Sequence, residues 1–376
     1  MRFIGMPKNL KIIPILLIIV LPFFVLAKDI LQAHLNGLIF FSLLAATLLL
    51  PNMWLKLMGL LITAWLGYAY LLKFLGPFPS GPFIDASLII FFGSLLYLFV
   101  FHSNLSPAFY FGAMCISALI QASIAICQRM WFDPVSETLA YLVTVTGVLD
   151  FSTPVGTLGN TNFLGAYLAI SLPFFFRRKW AWFLPIIAYG LYITNARAAC
   201  GAAIVGTGFF FLGWKGFFGA IIPGLAYITA VGGHSWGQLL HSDRYLFWID
   251  AIKRVCDSVP SFLVGYGQGT TWMINNELHS EYAATFFRYG IIGLFCMGGY
   301  IVTTFRDVRA YRSPSRRLLR AGGNTPLTAF LILCVNMVAN HPLHIVPTAI
   351  LAVVVMALLE REKAITVEAG PAPALL

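Results

Sequence analysis

Residues 108–128 read Ala108-Phe-Tyr-Phe-Gly-Ala-Met-Cys-Ile-Ser-Ala-Leu-Ile-Gln-Ala-Ser-Ile-Ala-Ile-Cys-Gln128, a run of 21 without one charged side chain. As a helix it is ~31 Å long at ~1.5 Å per residue, which matches the ~30 Å hydrocarbon core of a bilayer. Its apolar residues are continuous and not alternating, so it reads as a helix and not as a strand of a porin-type barrel. Comparable runs recur at roughly 10–27, 36–51, 55–73, 83–101, 163–176, 180–195, 198–214, 217–232, 283–305, 325–340 and 345–360. The expected fold is therefore all-α. It is a polytopic transmembrane helical bundle of about 12 spans, with residues 1–376 forming a single integral membrane domain.

Composition leads to the same class. Of 376 residues, 59% are hydrophobic and only 10% charged, and mean hydropathy is +0.84. A soluble domain needs about 25% charged residues to wet its surface, so a soluble enzyme is excluded. Disorder is excluded as well, since it requires low hydrophobicity and high charge. The net charge of +10 has a simpler cause than nucleic-acid binding, and no nucleic-acid partner is expected. In a polytopic chain Lys and Arg collect in cytoplasmic loops.

Threading the spans places Arg2, Lys8, Lys11, Lys56, Arg177, Arg178, Lys179, Lys215, the run Arg306–Arg320, Arg361 and Lys363 on one side, 16 of the 24 basic residues. That side is the cytoplasm, and both termini fall on it. The run Arg306–Arg320 is expected to touch anionic headgroups, which makes membrane lipids partners. The start of the chain, to Ala27, reads as an uncleaved anchor, and the tail after Glu368 as disordered. Five of six cysteines lie inside apolar runs and none forms a Cys-x-x-Cys pair, so core packing is their expected role.

Two outward loops are long, residues 129–162, which lead into a helix, and residues 233–282. Within the second, Leu246, Ile249, Ile252 and Val255 repeat at a spacing of three, which predicts an amphipathic interfacial helix over 244–256. Residues 136–150 suggest a similar element.

Polar residues on this side are few, and four groups carry chemistry. Gly156-Thr-Leu-Gly-Asn-Thr-Asn-Phe-Leu-Gly165 sets Asn160 and Asn162 directly before a span. Asn there caps a helix, and the exposed amides of a helix start also attract anions. Thr194-Asn-Ala-Arg197 forms a short turn in which Arg197 either snorkels or meets an anion. His241-Ser-Asp-Arg244 opens the interfacial helix, and Arg244 faces either solvent or a phosphate. Leu278-His-Ser-Glu-Tyr282 places His279, Glu281 and Tyr282 before the span containing Phe286-Phe-Arg-Tyr-Gly-Ile-Ile-Gly293. Histidine is suited to taking a proton near neutral pH. His341-Pro-Leu-His344 lacks the further ligands that zinc requires, so no metal is expected.

Taken in order, these groups resemble the O-antigen ligase and O-antigen polymerase superfamily of bacterial surface-polysaccharide assembly. The order is Gly-x-x-Gly-Asn-x-Asn, a short turn ending in Arg, an Arg-x-x-x-Trp helix, and His-Ser-x-Tyr before a Gly-x-x-Gly helix. The likeness covers residues 150–305. It implies a bundle in the bacterial inner membrane with its active site on the periplasmic side, served by the loops 129–162 and 233–282. It implies a glycosyltransferase that moves a glycan from undecaprenyl diphosphate to an acceptor hydroxyl, inverting, metal-independent and without a cofactor. By motif position, His279 matches the family's catalytic histidine, and Arg197 and Arg244 its diphosphate-binding arginines. Arg288, Glu281, Asn160, Asn162 and Tyr282 are possible supporting residues. Arg288 stands where the family commonly has Glu, so it is either a third phosphate contact or a partner of Glu281. The expected acceptor is lipid A-core, as in a ligase. The alternatives are a lipid-linked repeat, as in a polymerase, or a lipid-glycan transporter or scaffold without chemistry.

Overall fold

The structure is a computed structural model that describes residues 44–75, 93–130, 154–158, 160–230, 243–267, 280–310, 325–340, 343 and 346–368. The expectations placed on residues 10–27, 136–150, 311–320, the tail after Glu368, and His279, His341 and His344 lie outside the described residues. Among the described residues the fold is all helical and contains no strand. Among the described residues three helical stretches are by length and composition long and apolar enough to cross a membrane, Pro107–Arg129, Arg197–Thr229 and Glu281–Arg306, and shorter apolar helices accompany them.

In chain order the helices are α1 (44–49), α2 (Met53–Leu75), α3 (Gly93–His102), α4 (Pro107–Arg129), α5 (Thr161–Phe175) and α6 (Leu184–Ile193). They continue as α7 (Arg197–Ala230), α8 (Asp243–Cys256), α9 (Val259–Val264), α10 (Glu281–Ala310), α11 (Thr325–Asn336) and α12 (Val346–Glu368). They divide into two compact units. Unit 1 takes Met1–Ala27, His102–Trp236 and Ala321–Met356, and unit 2 takes Lys28–Phe101, Gly237–Arg320 and Ala357–Leu376.

In unit 1, α4 starts at Ser106, whose Oγ accepts from Ala108 N at 3.3 Å, with Pro107 in the first helical position. Helix α5 is buried from Leu164 to Phe175 and packs against α4, α6, α7 and α11. Helix α7 is a hairpin. Gly213 has φ +62 and ψ −143, and the chain reverses there. A β-carbon on Gly208 would lie 2.5 Å from Gly216 O, and one on Gly224 3.2 Å from Gly201 O. Residues 23 apart on a straight helix would be ~34 Å apart, so the two legs run back to back. Gly216, Ala220 and Gly224, spaced by four, give the small-residue stripe that lets two backbones approach inside a membrane. The two expected spans 198–214 and 217–232 are thus two legs joined by one glycine.

The two ends of unit 1 differ in chemistry. Phe176 packs at a tilt against Phe210 and Phe211 with centroids 4.7 and 5.3 Å apart, which sets the turn after α5 beside the hairpin tip. That end carries Arg177, Arg178, Lys179, Trp180, Trp182, Trp214 and Lys215, basic residues among aromatics as at a membrane interface. Arg177 lies over the Phe111 ring at 4.7 Å. The opposite end carries Asn160, Asn162, Asn195 and Arg197.

In unit 2, Asn52 begins α2. Its Oδ1 accepts from Trp54 N and Leu55 N, and its Nδ2 donates to Glu360 Oε1 at 3.1 Å. Glu360 also accepts from Lys363 Nζ at 2.8 Å, and both side chains are about 10% exposed. A charge pair so dry persists because each charge is matched and Asn52 supplies a further bond. The last expected span, 345–360, is longer in the structure and carries this pair within its helix. Four of the six cysteines are buried, Cys115, Cys200, Cys296 and Cys334, as core packing requires.

Candidate functional site

Two glutamines of α4 organise the candidate residues of unit 1. Gln121 is fully buried, donates from Nε2 to Thr157 Oγ1 at 2.7 Å, and accepts from Thr157 N at 3.0 Å. Gln128, two turns later on the same face, accepts from Val155 N and Gly156 N and donates to Gly156 O. Together they hold residues 155–157 as a non-helical backbone without an orphaned amide, the condition for irregular chain among spans. Gly156 is required by its φ of +60 and because a β-carbon would sit 2.8 Å from Gln121 Oε1. The segment then delivers Asn160, an exposed N-cap whose Oδ1 accepts from Asn162 N at 2.8 Å. The capping role expected for this motif is therefore in place.

The Arg197 turn is locked onto the same end. Thr194 is fully buried, donates to Leu191 O at 2.7 Å and accepts from Ala196 N at 3.2 Å. Asn195 takes φ +55, a left-handed conformation that Asn tolerates better than most residues. Arg197 follows as the first residue of α7, half-buried. Gly165, in the second turn of α5, admits this turn, since a β-carbon there would lie 2.3 Å from Ala196 Cβ. Asn160, Asn162 and Arg197 thus share one end of unit 1.

Unit 2 carries candidate residues of its own. Helix α8 spans Asp243–Cys256, close to the expected 244–256. The expected stripe is divided between its packed face and its outward face. Ala251 and Val255 are buried with Ala284 and Phe287 of α10, and Trp248 packs beside them. Leu246 and Ile252 are 59% and 47% exposed. The physical reason is the 3.6-residue period, under which a spacing of three drifts around the helix, so Val255 turns inward while Leu246 and Ile252 face out. Arg244 lies in the first turn of α8, one turn before Trp248.

Helix α10 is broken at Gly290, with φ +61 and ψ −160. The break releases the carbonyls of Phe287 and Arg288, which a continuous helix would commit to Ile291 and Ile292. Tyr266 N and Gly267 N donate to them instead, at 3.0 and 2.8 Å. Backbone meets backbone here. A β-carbon on Gly290 would lie 2.4 Å from the Leu263 carbonyl, and one on Gly265 2.3 Å from the Arg288 carbonyl carbon. Trp65 of α2 seals the strap, donating from Nε1 to Val264 O at 2.9 Å, with its ring against Gly267.

The half-helix so braced begins at Ser280, whose carbonyl accepts from Ala284 N and whose Oγ accepts from Ala283 N. It places Glu281 and Arg288 on one face, two turns apart, at 5% and 7% exposure. The charge of Glu281 acts on Arg288. Tyr282 is half-buried beside Glu281. His279 adjoins Ser280 in sequence and lies outside the described residues, and the Arg244 side chain is likewise not described.

Sequence reasoning singled out Asn160, Asn162, Arg197, Glu281 and Arg288, and it passed over Gln121, Gln128, Gly165 and the Gly265–Gly290 interlock. The two glutamines at a spacing of seven in an otherwise apolar span were the available signal. Among the described residues no three His, Cys, Asp or Glu side chains converge as metal ligands. No family model, curated protein or solved structure matches this chain.

Proposed function

We propose that the chain is a membrane glycosyltransferase of the bacterial inner membrane. It transfers a glycan from undecaprenyl diphosphate to an acceptor hydroxyl, that of lipid A-core, at the periplasmic face. The observation that carries this reading is the buried Glu281–Arg288 face, on a half-helix that begins directly after His279 and against which the Arg244-bearing helix packs. Buried charges at the end of a span are costly and mark function more often than structure. The contrast between a basic, aromatic end of unit 1 and an end bearing Asn160, Asn195 and Arg197 supports the sidedness.

In this reaction His279 takes the proton from the acceptor hydroxyl as its oxygen attacks the anomeric carbon. The carbon–oxygen bond to the diphosphate breaks on the opposite face, which inverts the configuration. Undecaprenyl diphosphate leaves with the electron pair, and the guanidinium groups of Arg197 and Arg244 are assigned to the negative charge it gains. These permanent cations serve where other transferases use Mg²⁺, and the donor, already activated by diphosphate, requires no nucleotide.

The test measures undecaprenyl diphosphate released by the purified protein, without metal or nucleotide, with lipid A-core or a second lipid-linked repeat as acceptor. Release that depends on lipid A-core is the expected result. His279→Ala is expected to lower turnover ~10²–10⁴-fold while retaining donor binding. Full turnover in that variant would overturn the role of His279. Dependence on the second repeat would make the protein a polymerase, and no release with either would favour a transporter or scaffold.

A further inference from the structure

We propose that the basic end of unit 1, made by the turn after α5 and the tip of the α7 hairpin, binds an anionic phospholipid whose headgroup carries two phosphates. The lipid comes from the bilayer leaflet that this end faces. The inference needs only that the chain spans a membrane, and it does not rest on glycosyl transfer.

The turn reads Phe176-Arg-Arg-Lys-Trp-Ala-Trp-Phe183 and the tip Phe210-Phe-Leu-Gly-Trp-Lys-Gly-Phe-Phe218. They lie far apart in the chain, and Phe176 joins them through Phe210 and Phe211. Aromatic packing fixes both backbones. Arg177 lies over the Phe111 ring, and Trp180 packs between Phe175 and Phe183. Gly112 leaves Trp180 its room, since a β-carbon there would come within 3.8 Å of Trp180 Cζ2. At the tip Trp214 meets Phe209 and Phe217 at 5.2 and 5.4 Å. Three cations are left exposed on this frame, Arg178 and Lys179 on the turn and Lys215 on the tip.

No carboxylate of unit 1 answers this charge. The described residues of unit 1 include no Asp or Glu, and Arg178, Lys179 and Lys215 make no ion pair among the described residues. Asp133, Glu137 and Asp150 fall in the connection between Arg129 and Asn160, which leaves and returns at the opposite end of the unit. The surroundings then select the ligand. Trp182 is 87% exposed and Leu212 71%, beside the exposed Phe211 and Phe218. A soluble phosphate or polyanion would neutralise the cations and leave this apolar collar in water. A phospholipid covers the collar with its acyl chains and brings phosphate to the guanidinium and ammonium groups, which sit at headgroup level. The cations stand on two separate elements, so one phosphate serves the turn and a second serves the tip.

Full-length protein in neutral detergent is titrated with diphosphatidylglycerol, phosphatidylglycerol or phosphatidylethanolamine, and bound lipids are counted by native mass spectrometry. Wild type is expected to bind diphosphatidylglycerol most tightly. Arg178→Gln combined with Lys215→Gln is expected to weaken its first binding step about 30-fold, at ~1 kcal/mol for each cation removed, and to leave phosphatidylethanolamine binding unchanged. Both side chains are exposed, so the melting temperature without lipid is expected to stay at the wild-type value. Lys215→Gln alone, with a loss of about 5-fold, serves if the double variant does not fold. Exchanging the cations, Arg178→Lys with Lys215→Arg, is expected to keep most of the affinity. Unchanged diphosphatidylglycerol binding in the glutamine variants would overturn the proposal and move the lipid to another basic stretch, such as Arg306–Arg320. Equal wild-type affinity for phosphatidylglycerol and diphosphatidylglycerol would overturn the two-phosphate assignment. A matching loss on phosphatidylethanolamine would overturn the role of charge.

Discussion

A β-carbon at Gly165 would lie 2.3 Å from Ala196 Cβ, 3.1 Å from Thr194 Oγ1 and 3.3 Å from Ala199 Cβ. The first of these distances forces backbone to move, because Ala196 has no side chain to swing aside. Gly165→Ala is therefore expected to cost ~1–3 kcal/mol, seen as a lower melting temperature, and to push the Arg197 turn away from α5. The kinetic trace is a raised donor KM, and an unchanged KM would show that the turn tolerates the shift. Asn160 and Arg197 were legible in the sequence because a cap and an isolated turn arginine are local signals. Gln121 and Gln128 were not, since their partners Thr157 and Gly156 lie 36 and 28 residues along the chain. Inside an apolar run an amide looks like tolerated polarity until the backbone it holds is seen.

Two helices break at glycine, and the breaks differ in what they touch. At Gly213 a β-carbon would meet nothing within 4 Å, so only the backbone conformation resists substitution. At Gly290 the same carbon would strike the carbonyls of Phe262 and Leu263 at 2.4–2.6 Å. Gly213→Ala is expected to cost ~1–3 kcal/mol, the strain of a backbone region kept almost wholly for glycine. Gly290→Ala adds to a similar strain the separation of α9 from α10, so its melting temperature falls further and its turnover falls with it. Equal melting temperatures for the two variants would contradict the interlock. The face of α8 belongs to the same scale. Its existence was legible from the mixture of apolar and charged residues, but which stripe faces inward was settled by Ala284 and Phe287 of a distant helix.

For the whole molecule the sidedness is directly measurable. Arg178 and Asn195 are exposed at opposite ends of unit 1. In a variant with its native cysteines replaced, Asn195→Cys is expected to react with a membrane-impermeant maleimide once the outer membrane is opened. Arg178→Cys is expected to react only after the inner membrane is breached. The reverse pattern would invert the topology and remove the periplasmic site. The proposed orientation rests on charge, because lysine and arginine are generally held on the cytoplasmic side as a polytopic chain inserts. Composition settles the class of fold for an equally general reason. A chain with 10% charged residues has too little polar surface to face water, and in lipid a helix satisfies its own backbone. Capping residues and turn chemistry are local, so the start of α5 and the extent of α8 could be read in the same way. Burial by packing is not local and has no direction. It paired Gly165 with Ala196, folded α7 at Gly213 and seated the Tyr266–Gly267 strap on the broken α10. Each of these joins positions whose residue types suit several neighbours, and the choice among those neighbours is made where the helices meet.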